Sequence, residues 1–102
     1  MMKFGLKDET IQKIIGIFQK YSCVREVYLY GSRANGNFKK GSDIDLTLKG
    51  DNIDLTTMNR IANEIDDLLL PYTFDISIFT HLDNDSLIEH INRVGILFYQ
   101  RK

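Results

Sequence analysis

LYGSRANGNFKKGSDIDLTL, residues 29–48, leads from the end of one apolar run through a glycine-rich loop into a second run of strict alternation. In that second run, DIDLTLK (43–49), Ile44, Leu46 and Leu48 fall on one face of a strand, while Asp43, Asp45 and Thr47 fall on the other. Aspartate is a poor strand former, so two carboxylates pointing the same way from a strand built for the core require a reason. The loop between the runs, residues 31–42, carries Gly31, Gly36 and Gly41 together with Arg33, Lys39 and Lys40.

The elements on either side follow from periodicity. VREVYLY (24–30) is rich in β-branched and aromatic residues and stops at Gly31, as a strand does. Before it, DETIQKIIGIFQKY (8–21) places Ile11, Ile14, Ile15 and Phe18 at helical spacing, with Asp8 as the expected cap. After the quoted stretch, residues 54–70 repeat apolar positions at Met58, Ile61, Ala62, Ile65, Leu68 and Leu69, and Pro71 marks the end of that helix. TFDISIF (73–79) alternates again, with Phe74, Ile76 and Ile78 opposing Asp75 and Ser77. NDSLIEHINRVG (84–95) reads as a short helix stopped by Gly95, and ILFY (96–99) as a last strand. This order predicts an α/β (α+β) class: a mixed sheet with helices packed on one face and an open face carrying the carboxylates.

Composition narrows the function. A chain of 102 residues is read as one domain, 1–102. Thirteen basic against fourteen acidic residues leave a formal charge of −1, which argues against a general nucleic-acid binder. Cys23 is the only cysteine, so an intrachain disulfide and a cysteine-based zinc site are excluded, and a small buried side chain is expected there. Without a membrane-length apolar run or a signal-peptide core, the expected compartment is the cytoplasm.

If 43–49 and 73–79 are neighbouring strands, Asp43, Asp45 and Asp75 come together on one face. Three clustered carboxylates either rise in pKa or take up a cation. A hard divalent ion with oxygen ligands suits them, and Mg²⁺ in particular leaves coordination sites for water and substrate phosphates. A pair of such ions can activate an attacking oxygen and stabilise a leaving pyrophosphate. Gly31-Ser32 can present backbone N–H groups and a hydroxyl to phosphate oxygens. It is not a Walker loop, since no Gly-Lys-Ser/Thr follows. The plainer alternative is an amphipathic strand with a wet face after an ordinary turn.

Gly31-Ser32, ten intervening residues, and Asp43-Ile44-Asp45 flanked by hydrophobic neighbours resemble the signature of the polymerase-beta-like nucleotidyltransferase superfamily. LYGSRANG followed by SDIDL is most similar to its smallest branch, the minimal nucleotidyltransferase (MNT) proteins. Asp75 sits where that superfamily carries its third carboxylate. The resemblance implies that Gly31 and Ser32 cradle a nucleotide triphosphate, that Asp43, Asp45 and Asp75 ligate Mg²⁺ (two ions), and that Asp75 helps activate the acceptor hydroxyl. ATP is the substrate it suggests. The branch often has Arg-Gly where this chain has Asn35-Gly36; Arg33, which joins the nucleotide-binding set, and Lys39 and Lys40 lie in the same loop as substitutes. Asn35-Gly36 also reads as a tight-turn signal.

Larger members of the superfamily use extra domains to hold their acceptors; for a chain of 102 residues, the resemblance implies that the acceptor surface is to be expected from a partner protein or an oligomer. The resemblance implies a HEPN-domain toxin as partner, silenced by adenylylation of a tyrosine hydroxyl. The alternative is a catalytically inactive binding module that neutralises its partner by contact. His81 and His90 lack a ligand partner at recognisable spacing and read as solvated or capping residues, Asp66 and Asp67 as a solvent-facing helix surface, and Tyr28 and Tyr30 as sheet packing.

Overall fold

The computed structural model describes residues 2–36 and 43–102. The two apolar alternations at its centre become adjacent parallel strands, β4 (Ile44–Gly50) and β5 (Phe74–Ile78), in the register Asp45↔Asp75, Leu46↔Ile76 and Thr47↔Ser77. A parallel pair needs a crossover, and α3 (Leu55–Asp66) supplies it. On the other side of β4 lies β3 (Val24–Tyr30), antiparallel, pairing Leu29 with Leu46 and Tyr30 with Asp45. The edge strand β6 (Ile96–Gln100) pairs antiparallel with β3, giving a four-stranded mixed sheet in the order β5-β4-β3-β6.

One face of this sheet is the core. Ile44, Leu46, Leu48, Val27 and Leu29 are buried there with Ile14 and Phe18 of α1 (Asp8–Gln19) and Ile61 and Ile65 of α3. Asp54 caps α3, its carboxylate accepting from the Thr57 N–H at 2.8 Å, where the sequence places the helix start. Asp8 lies in the first turn of α1 and the cap position belongs to Lys7, whose side chain makes no capping bond. Glu64 accepts from Lys20 Nζ at 2.6 Å and from the Tyr21 hydroxyl, tying the end of α1 to α3. Cys23 is half-buried against the core.

Three features differ from the reading of the sequence. A small hairpin, β1 (Met2–Lys3) and β2 (Leu6–Lys7), precedes α1 and turns at Phe4 and Gly5, both with positive φ (56° and 77°). α3 stops at Asp66, short of Pro71, and Leu69 takes up a left-handed conformation at φ 55° while 88% exposed. α4 (Asp85–Val94), capped by Asn84, meets β3 on the face opposite α1 and α3, so the helices do not all share one side. Its Ile91 is buried outside the main core cluster, and its His90 ring meets the Tyr30 ring, which belongs to the carboxylate face. An amphipathic helix must cover something, and Tyr30 offers apolar surface there. Among the described residues, no helix is long and apolar enough to cross a membrane.

Candidate active site at the start of the parallel strands

Strand pleating decides which side chains share the carboxylate face. Tyr30, Asp45 and Asp75 occupy one row across β3, β4 and β5, and Tyr28, Thr47 and Ser77 the next. The second row is closed: Thr47 is fully buried, and Ser77 donates to its hydroxyl at 3.0 Å. The first row lies where β4 and β5 begin, beside the turn that leaves β3. Asp45 is half-buried in it, while Asp75 and, just before β4, Asp43 are exposed.

The Asp45 carboxyl responds to the charges around it. Burial pushes the Asp45 carboxyl above its ordinary value, Asp75 and then Asp43 push it further, and His90 opposes them. Among the described residues, no hydrogen bond reaches the Asp45 carboxylate. Burial likewise raises the Tyr30 hydroxyl, partly offset by a hydrogen bond with Ser77 and reinforced by Asp75 and Asp45.

Gly31 connects the row to the turn. It follows Tyr30 at φ 80°, and a Cβ placed on it would stand 2.3 Å from Asp45 Oδ2. Only glycine permits this backbone to approach the carboxylate so closely in that conformation. Ser32 opens the short helix α2 (Ser32–Asn35), which Gly36 ends in a left-handed cap, in keeping with the turn signal of Asn35-Gly36. Arg33 is buried, with its Nη1 donating to the Phe4 carbonyl at 2.7 Å and its guanidinium 5.3 Å from the centre of the Tyr72 ring. That guanidinium therefore ties the turn to the N-terminal hairpin and to the segment entering β5. Lys39 and Lys40 lie outside the described residues.

Among the described residues, no three carboxylate, imidazole or thiol groups close up into a metal cage. The donor set fits a looser arrangement: hard oxygen donors on neighbouring strands, one of them half-buried and, among the described residues, without a hydrogen-bond partner. Mg²⁺ takes only one or two protein carboxylates readily and fills its octahedron with water and phosphate oxygens. The exposed carboxylates Asp43 and Asp75 leave the approach free for such ligands.

Other singled-out residues lie apart. His81 is exposed in a single 3₁₀ turn, Phe79–His81, and lines a shallow groove with Asn52, Asp54 and Thr56 at the opposite end of β4 and β5. Asp66 and Asp67 are exposed, as their helical spacing suggests. His90 is the group that sequence spacing missed: its ring lies 6.5 Å from that of Tyr30, edge to face, beside the carboxylate row.

The family pattern described as polymerase beta nucleotidyltransferase matches residues 12–102. Among curated proteins, none matches the chain. Solved structures share the fold. The chain is 20% identical to one of a toxin–antitoxin complex with AMP-PNP, at a TM-score of 0.72, covering 90% of this chain and 74% of that one. The MntA–HepT toxin–antitoxin structure gives a TM-score of 0.68 at 18% identity, covering 93% and 74%. A tri-AMPylated Shewanella oneidensis HEPN toxin in complex with MNT antitoxin gives 0.67 at 18% identity, covering 91% and 71%.

Proposed function

Because the chain belongs to the polymerase beta nucleotidyltransferase family, we propose that it transfers AMP from ATP to a hydroxyl of a HEPN-type toxin, a tyrosine, and so acts as its antitoxin. The observation that carries this reading is the close fit of the Gly31 turn against Asp45, with Asp75 as the strand partner of Asp45. It sets the Gly31-Ser32 turn, the phosphate-binding element of this reading, beside the carboxylates. The similarity to an AMPylated toxin complex supports the choice of acceptor.

In this reading the Gly31-Ser32 backbone and the Ser32 hydroxyl bind triphosphate oxygens, and Arg33 fixes the turn that presents them. Asp43, Asp45 and Asp75 hold Mg²⁺, which when bound supplies charge neutralisation at the triphosphate and at the departing pyrophosphate. Asp75, exposed at the edge of the row, orients the acceptor hydroxyl and takes its proton. The acceptor oxygen attacks the α-phosphorus, a new P–O bond forms, the bond from the α-phosphorus to the bridging oxygen breaks, and pyrophosphate leaves. Positioning and electrostatics account for the rate without a covalent enzyme intermediate.

The test is transfer of label from α-labelled ATP, with Mg²⁺, to a purified HEPN-domain partner, comparing the wild-type chain with Asp45→Asn. Label on the partner with the wild type only, lost when the acceptor tyrosine becomes phenylalanine, is the expected result. A wild-type chain that binds and neutralises the partner while transferring nothing, with Asp45→Asn neutralising equally, would establish the inactive binding module instead.

A further inference from the structure

A triphosphate brought to this site meets three carboxylates, so it needs donors on the same side of the sheet. Among the described residues, two cations, Arg33 in the turn and Lys49 on β4, are otherwise engaged. Arg33 is buried against the Phe4 carbonyl and Tyr72. Lys49 lies between the rings of Tyr28 and Phe79, 4.5 and 4.3 Å from their centroids, and is four residues along β4 from Asp45, about 13 Å at strand spacing.

His90 is placed differently. Its neighbour Ile91 anchors α4 in the fold, at 2% exposure, while the His90 ring packs edge-on to Tyr30. Tyr30 is the strand partner of Asp45 and precedes Gly31 in the chain, so the imidazole stands on the carboxylate face, over the strand that leads into the turn. It is half-buried, and among the described residues neither ring nitrogen has a hydrogen-bond or ion-pair partner. An imidazole carries at least one N–H in either protonation state, so it can donate to an oxyanion at any working pH.

We propose that His90 is a nucleotide-binding residue, its ring N–H donating to a non-bridging oxygen of the β- or γ-phosphate, which AMP lacks. The inference rests on the nucleotidyl-transfer reading and adds to it a donor from α4, an element outside the glycine turn and the carboxylate strands. The influence of His90 on the Asp45 carboxyl, opposite in sign to that of Asp75 and Asp43, agrees with this proximity.

Titration calorimetry with Mg²⁺·ATP and with AMP, on the wild type and on His90→Ala, His90→Gln and His90→Phe, tests it. Thermal melts matching the wild type establish that each variant is folded. Losing one hydrogen bond to a charged group corresponds to weakening by roughly tenfold to a hundredfold. His90→Ala is therefore expected to bind Mg²⁺·ATP that much more weakly, with AMP affinity unchanged and with KM raised more than kcat falls. His90→Gln, which keeps an N–H, recovers part of the affinity, and His90→Phe does not. Recovery by phenylalanine instead of glutamine would overturn the assignment in favour of stacking on the base. An equal loss for AMP, or no loss for ATP, would overturn it as well. A wild-type chain that neither binds Mg²⁺·ATP nor transfers label removes the functional reading and this inference together. A wild type that does both, beside an unaffected His90→Ala, removes the inference alone.

Discussion

Replacing Asp45 with asparagine should stabilise the protein in the absence of metal while abolishing transfer. The substitution keeps the shape that packs against Gly31 and removes only the charge. Asp45 and Asp75 are partners on adjacent strands, and two unit charges ~5 Å apart repel by ~0.8 kcal/mol in bulk water and ~3.3 kcal/mol at an effective dielectric of 20. Because Asp75 is exposed, the repulsion lies toward the lower figure, and half-burial of Asp45 adds to it. A gain of about 1–2 kcal/mol at pH 7 is expected, or about 5–10 °C in Tm for a domain of this size. The sign with pH is fixed by the upward displacement of the Asp45 carboxyl through burial, Asp75 and Asp43. A group raised in the folded state favours folding fully below the unfolded carboxylate's pKa, near 3.9, and loses that contribution as pH rises through its folded value. Wild type and Asp45→Asn should therefore have similar stabilities near pH 3 and diverge toward pH 7, the variant being the more stable. Urea denaturation in EDTA across that range reads it directly. An asparagine variant no more stable at pH 7, or a gain that persists undiminished at pH 3, would refute the account of Asp45 as a carboxylate raised by burial and neighbouring charge.

Three further substitutions probe the surroundings. Gly31→Ala places a methyl 2.3 Å from Asp45 Oδ2 at φ 80°; the backbone cost is about 1–2 kcal/mol by chemical denaturation, but displacement of the carboxylate should lower transfer by a larger factor than this loss implies. Leu69→Asn replaces an exposed leucine at φ 55° with a residue that tolerates the left-handed region, and a rise of roughly 1 kcal/mol is expected in the same assay. Arg33→Met removes the donor to the Phe4 carbonyl; a loss of about 1–3 kcal/mol should accompany faster amide exchange in residues 2–7 than in the sheet.

What the sequence made legible was what a strand's period of two can carry. DIDLTLK and TFDISIF each separate an aliphatic face from a polar one, and burying both aliphatic faces under the same helices leaves Asp45 and Asp75 side by side. The Gly-Ser pair added the position of the turn. Three things were not legible, each because it depends on contacts between residues far apart in the chain. The hairpin strands of residues 2–7 are two residues each, too short to show a period, and of the two positive-φ turn residues only Gly5 is of a type that signals a turn, Phe4 being of one that does not. Arg33 read as one of the nucleotide-binding residues from its place in a glycine-rich loop, and that place does not show its burial or its bond to a carbonyl 29 positions earlier. The amphipathic stripe of α4 shows that it covers something without showing which face of the sheet, so His90 reads as a solvated or capping side chain in the sequence, where its contact with Tyr30 is not visible. The same stripe that hid His90 also explains why the carboxylate face is not wholly open: α4 lies over β3, leaving the approach to the row on the β4 and β5 side. Under the proposed function, an acceptor hydroxyl would arrive from that side, toward exposed Asp75, with the nucleotide toward the Gly31 turn and His90. Asp45 stands between Tyr30 and Asp75 in the strand register, and its half-buried charge faces both directions of approach.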